Sequence, residues 1–99
     1  MGTGGTLEPS GLGSDLYHAV VYEQGLAEGG EHMIVLFPLD TDHYYAVLDA
    51  AHAIPTTARD ITEADKDLGT DEFTRITEWE QVHTAYGPGW RALVTSRAQ

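Results

Sequence analysis

Asp40, Thr41, Asp42 and His43 stand together directly after an apolar run, and a second imidazole, His52, lies nine residues further on. Two carboxylates and an imidazole form a donor set for a divalent cation, and the end of a strand is a frequent place to present one. Asp40, Asp42 and His43 are therefore the candidate metal ligands, with His52 as a possible addition. The spacing alone does not make them converge. On a helix, His43 and Asp49 would face solvent with Asp42, while His52 would lie to the flank. An aspartate N-cap followed by exposed histidines is the competing account.

Three other groupings invite a chemical reading. Glu80, His83 and Tyr86 are spaced by three, so a helix would gather a carboxylate, an imidazole and a phenol as a general acid–base set. Packing of His83 between Trp79 and Tyr86 explains the same spacing without catalysis. Asp65 to Glu72 (DKDLGTDE) has the carboxylate density of a calcium loop. Its fifth position is glycine, its sixth is not, and its twelfth is Ile76, which offers no bidentate carboxylate. Ser10, Ser14 and Ser96 lie in no nucleophile elbow, and Gly11-Leu12-Gly13-Ser14 is followed by no lysine to cradle a phosphate. The chain has no cysteine, which removes thiolate nucleophiles and thiolate zinc sites together. No catalytic residue and no cofactor is assigned, and the expectation leans away from an enzyme.

The elements that must position these residues divide into an arm and one domain. Residues 1–14 hold five glycines, Pro9 and small hydroxylated residues, too little apolar surface to order themselves, and read as an N-terminal arm that is flexible or bound to a partner. Residues 15–99 form one compact domain, since 99 residues bury about two-thirds of their unfolded surface. Residues 16–23 (LYHAVVYE) and 31–39 (EHMIVLFPL) are rich in aromatic and β-branched types and predict an antiparallel strand pair joined by a seven-residue glycine-rich loop. Pro38 cannot donate to a ladder, which places it at a sheet edge or at a strand terminus.

For residues 43–53, Tyr44, Val47, Leu48 and Ala51 share a helical stripe, and helix is the favoured reading over strand. Residues 60–68 predict a short helix stopped by Gly69. Residues 73–86 again favour helix, although Thr74, Ile76, Thr77, Val82 and Thr84 are strand-forming types. Residues 90–96 close the sheet. The expected fold class is α+β, a small antiparallel sheet of about three strands with helices on one face; the alternative is a small all-β five-stranded barrel.

Charge bounds the partners. The first 58 residues contain eight carboxylates and no lysine or arginine, and the remaining 41 contain eight more with all five basic residues, giving net charges of −8 and −3. Such a field repels polyphosphate and anionic lipid, so neither nucleic acid nor a membrane is an expected partner. The composition fits adaptation to high salt, where repulsion between carboxylates is screened within about 3 Å at 1 M, or a GC-rich genome that disfavours lysine and asparagine codons. The N-terminal residues have neither a basic start nor an apolar stretch, so we expect no signal peptide and a cytoplasmic location, or the virion for a viral protein. The leading functional expectation is a non-enzymatic structural, assembly or adaptor subunit of a multi-protein complex, for example a virus particle. It would dock other subunits, or further copies of itself, through the arm and a sheet edge. Two alternatives stand beside it: a small metal-dependent enzyme or binding protein using Asp40, Asp42 and His43, and an acidic inhibitor that mimics nucleic acid.

Overall fold

The computed structural model describes residues 16–42 and 44–96. Leu16–Tyr22 (β1) and His32–Pro38 (β2) are the expected antiparallel pair, with Val20 opposite Val35 and Val21 opposite Ile34. The link between them is not an open loop: Glu23–Glu28 coils into a short helix, α1, whose Leu26 packs into the core. Gly29 and Gly30, both at φ +73°, then turn the chain into β2 through a conformation that side chains with a Cβ adopt reluctantly.

After β2 the chain crosses one face of the sheet as an irregular segment with a single 3-10 turn at Val47–Asp49, then pairs His52–Thr56 (β3) with β2. The helix favoured for residues 43–53 is therefore absent among the described residues of that stretch. The stripe behind that expectation finds no core to face. Tyr44, Val47, Leu48 and Ala51 are all exposed, and Tyr45 is the buried one among the described residues of that stretch.

Ile61–Thr70 (α2) forms where a helix was expected, two residues longer at its end. Asp60 caps it, accepting a 2.9 Å hydrogen bond from the Glu63 N–H, while the Glu63 carboxylate reaches back to the Arg59 N–H at 2.7 Å. Gly69 is not the stop. The helix runs on to Thr70 and closes at Asp71, whose N–H bonds back to the Asp67 and Leu68 carbonyls, and Glu72 takes φ +69°.

Phe73–Arg75 (β4), Glu80–Thr84 (β5) and Gly87–Ser96 (β6) replace the helix favoured for residues 73–86. The ten-residue β6 explains the difference. One of its edges pairs with β1, and its other edge carries backbone groups that need partners of their own. β5 pairs with the first half of that edge, from Thr84 opposite Gly87 to Glu80 opposite Arg91, and β4 pairs with the last three residues. Local helical spacing lost to this demand.

Among the described residues the sheet thus has six strands, in the order β3-β2-β1-β6-β4 with β5 beside β6, and it curls. The expectation of about three strands is corrected; the barrel alternative fits in part, as an open, curled sheet that retains two helices. Pro38 marks the end of an interior strand rather than an edge. Among the described residues the free edge on that side is β3, where Pro55 removes a donor that a further strand would need.

Both faces of the central strands are covered. On one, Ala19, Val21, Ile34, Leu36, Ile54 and Val94 pack with Ala64 and Leu68 of α2. On the other, Val20, Val35 and Phe37 pack with Tyr45 from the crossing segment. Burying a side chain such as Ile34, Leu36 or Phe37 stabilises by about 1.5–3 kcal/mol each. No helix among the described residues is long and apolar enough to cross a membrane. The expected arm, residues 1–14, lies outside the described residues.

Candidate functional site

Asp40 and Asp42 follow β2 on an exposed turn and border a shallow hollow with Thr41 and Asp49. His43 lies outside the described residues. His52 is carried away into β3, where its ring meets Tyr17 edge-on at 5.5 Å. Among the described residues no group of three histidine, aspartate or glutamate side chains is placed to hold a metal ion.

The other chemical groupings of the sequence are spent on structure. Asp65 accepts from Arg75 Nε at 2.7 Å and from Trp79 Nε1 at 3.4 Å, which ties the segment after β4 onto α2. The Asp65 hydrogen bond raises the Arg75 pKa above the ordinary arginine range, so the guanidinium stays charged. Asp67 accepts from the Thr56 hydroxyl, whose oxygen accepts in turn from the Ala58 N–H. Glu80 sits on β5, not on a helix with His83 and Tyr86, and pairs with Arg91 at 2.7 Å. Arg91 Nε donates to His18 Nδ1 at 3.0 Å, and His18 Nε2 donates to the Leu39 carbonyl at 3.0 Å. An arginine cannot accept, so His18 holds its proton on Nε2.

A different feature emerges on the face crossed by the Tyr45 segment. Three hydrogen bonds strap that segment down: the Ala85 N–H donates to the Tyr44 carbonyl at 2.7 Å, Val47 N–H donates to the Tyr86 hydroxyl at 2.9 Å, and the Tyr22 hydroxyl donates to the Tyr45 carbonyl. The Tyr22 and Tyr86 rings meet edge-on at 5.2 Å. Burial, and then the neighbouring Tyr86, push the Tyr22 pKa well above the ordinary tyrosine value. Tyr45 itself sits at φ +50°, a left-handed conformation unusual for a bulky residue, with its ring against His18 and Phe37. The strap covers only part of the face.

Between the strap, α1 and the ends of β1, β2 and β3 an open groove of about 540 Å³ remains. Its walls are Tyr22, Met33, Val35, Val47, Ala53 and Tyr86, and Gln24 and Glu28 of α1 stand at its mouth. Gln24 Nε2 donates to Glu28 Oε2 at 3.0 Å, which fixes the carboxylate there. His32 supports the helix from below: its Nε2 donates to the Ala58 carbonyl at 2.7 Å, and its buried, unpaired Nδ1 lies against Gly25, where a Cβ would come within 2.5 Å. The strap that supplies Val47 also carries Leu48, 95% exposed, and Tyr44, 66% exposed. Groups of exposed apolar side chains of this kind mark contact surfaces.

Reasoning from sequence missed this groove because its walls come from five separate segments: the β1–α1 junction, β2, the strap, β3 and the turn after β5. One signal pointed to it. Met33 to Phe37 is apolar at every position, and such a strand needs cover on both faces. What the strap leaves uncovered is the groove.

The class defined by these features is an α+β domain with a curled antiparallel sheet and an apolar groove on the face opposite its principal helix. No protein-family model, curated protein or solved structure matches the chain.

Proposed function

We propose that this protein is a non-enzymatic adaptor or assembly subunit, and that the groove bounded by Tyr22, Met33, Val47 and Tyr86 is where it holds another protein. The observation that carries the reading is an apolar groove walled in part by Val47, whose segment also exposes Tyr44 and Leu48. A small ligand would fill the groove and leave Leu48 in water; a protein surface covers both. The groove has the volume of a ligand pocket, about 300–1,000 Å³, yet it is open along one side. An anchor side chain in such a hollow, surrounded by weaker contacts, is how small interfaces concentrate their binding energy.

Residues 1–14 are proposed as a second attachment, and the free edges of β3 and β5 as a third. The β3 edge is the weaker of the two, because Pro55 offers no N–H.

Photo-crosslinking tests the reading. A benzophenone amino acid replaces Leu48 in one variant and Thr62, on exposed α2, in another, and both are expressed in the cell that encodes the protein. The expected result is a discrete crosslinked protein from position 48 and none from position 62. Equal labelling from both positions, or none from position 48, refutes the assignment.

A further inference from the structure

Nine of the ten residues lining the groove come from the first 58 positions of the chain, the stretch with no lysine or arginine, and the tenth is Tyr86. Among the described residues no lysine or arginine lines it, and its one imidazole, His32, is bonded through Nε2 to the Ala58 carbonyl. Arg59, the nearest arginine in sequence, lies against Gly29 and borders a separate hollow with Glu23 and Trp90. Glu28, an exposed residue lining the groove, accepts from Gln24 through Oε2. A chain of net charge −11 surrounds the site.

On the docking reading above, we infer that the occupant of the groove is a segment of a partner protein in which a lysine or arginine lies beside an apolar anchor, the anchor entering between Met33 and Val47 and the cation meeting Glu28. Charge complementarity selects this occupant over the chain's own N-terminal residues. Residues 1–14 bring Glu8 and no basic side chain, and so would add repulsion at Glu28. Like-charge juxtaposition also turns away acidic proteins, including further copies docking through their first 58 residues.

The experiment is selection of a random dodecapeptide phage library on the full-length protein, followed by affinity measurements on the enriched peptides with three variants. The expected consensus is an apolar residue with Lys or Arg within three positions. Glu28→Gln should weaken the selected peptide about threefold in dilute buffer, and the difference should vanish in 0.5 M NaCl, as for an exposed ion pair. Met33→Gln and Val47→Asn, both at half-exposed positions, should each weaken it about fivefold while leaving the circular dichroism spectrum unchanged. Using two apolar variants guards against one of them misfolding. Enrichment of apolar peptides without basic residues, or an unchanged affinity in Glu28→Gln, overturns the cation inference and leaves the docking reading intact. Absence of any enrichment over Val47→Asn refutes both.

Discussion

The Tyr22 hydroxyl gives a test of the strap that does not need a partner. Its hydrogen bond to the Tyr45 carbonyl holds a residue at φ +50°, a left-handed conformation that costs a non-glycine residue about 1–3 kcal/mol and persists only where neighbouring contacts enforce it. Tyr22→Phe removes the donor but keeps the ring that meets Tyr86 at 5.2 Å. Two straps survive, at Tyr44 and Val47, so the segment should stay in place with one carbonyl unpaired. The loss should be about 1–1.5 kcal/mol, or about 5–10 °C in Tm for a domain of this size. A second readout separates this bond from a general packing defect. Burial holds the Tyr22 pKa above its unfolded value, so the folded state keeps its proton while the unfolded chain ionises from about pH 10. The stability that neutral Tyr22 contributes is complete below pH 10 and is lost as pH rises beyond it, at up to about 1.4 kcal/mol per pH unit. The advantage of the native protein over Tyr22→Phe should therefore be constant from pH 6 to 9 and largely gone by about pH 11. Urea unfolding followed by circular dichroism measures both. A variant as stable as the native protein at pH 7, or a gap that stays constant to pH 11, would refute the reasoning.

Other expectations concern separate parts of the molecule. Gly25→Ala should destabilise by about 1–3 kcal/mol, against the usual helix gain from alanine, because the new Cβ would come within 2.5 Å of His32 Nδ1; a neutral or stabilising result in thermal melts would mean the His32 ring yields freely. With a net charge of −11, the protein should melt at a higher temperature in 1 M than in 0.05 M NaCl, and a Tm independent of salt would contradict the account of its surface. Since the groove rather than the Asp40/Asp42/Asp49 hollow carries our reading, millimolar Ca²⁺ or Zn²⁺ should move Tm no further than NaCl of equal ionic strength. A saturable rise that is abolished by Asp40→Asn with Asp42→Asn would relocate the site to that hollow. Deletion of residues 1–14 should leave Tm within a few degrees and weaken assembly in the encoding cell; normal assembly would remove the arm from the proposal.

The strands β1, β2 and β6 were legible because their apolar content leaves no other way to hide it. Residues 34–37 are buried on both sides of the sheet, and β-branched residues recur through 19–21 and 93–95. Helix α2 was legible as a segment from Asp60 to Leu68, although its stop was not Gly69; the Asp60 cap with Glu63 is the local feature that starts it. Residues 43–53 and 73–86 were not legible, for the same physical reason. Each has an apolar spacing that fits a helix, and each was decided by a demand from elsewhere. β3 answers the exposed edge of β2, β4 and β5 answer the exposed edge of β6, and Tyr45, with Ala50 beside the same cluster, is recruited to cover Val20 and Phe37. A stripe at period 3.6 states which residues could share a face; it does not state that a face awaits them. The candidate site failed to show for a related reason, since Tyr22, Glu28, Met33, Val47 and Tyr86 are joined only by the crossing of the strap.

The charge pattern and the groove bear on each other. A cation-free stretch of 58 residues, taken alone, excludes partners without choosing one. In the folded chain that stretch supplies all but one of the groove's walls, while four of the five basic residues lie in described parts of the chain that do not line it: Arg59, Lys66, Arg75 and Arg91. Arg75 and Arg91 are committed to Asp65 and Glu80 on the far side of the sheet order from β3. An apolar surface without cations and with a fixed carboxylate at its mouth discriminates by sign as well as by shape. Introducing a lysine at the mouth, as Gln24→Lys, should then do two things at once: neutralise Glu28 through the same i,i+4 contact that Gln24 now makes, and reverse the preference from basic to neutral or acidic peptides. If Gln24→Lys leaves the ranking of selected peptides unchanged, shape alone governs the groove, and the absence of cations from residues 1–58 has no bearing on what it holds.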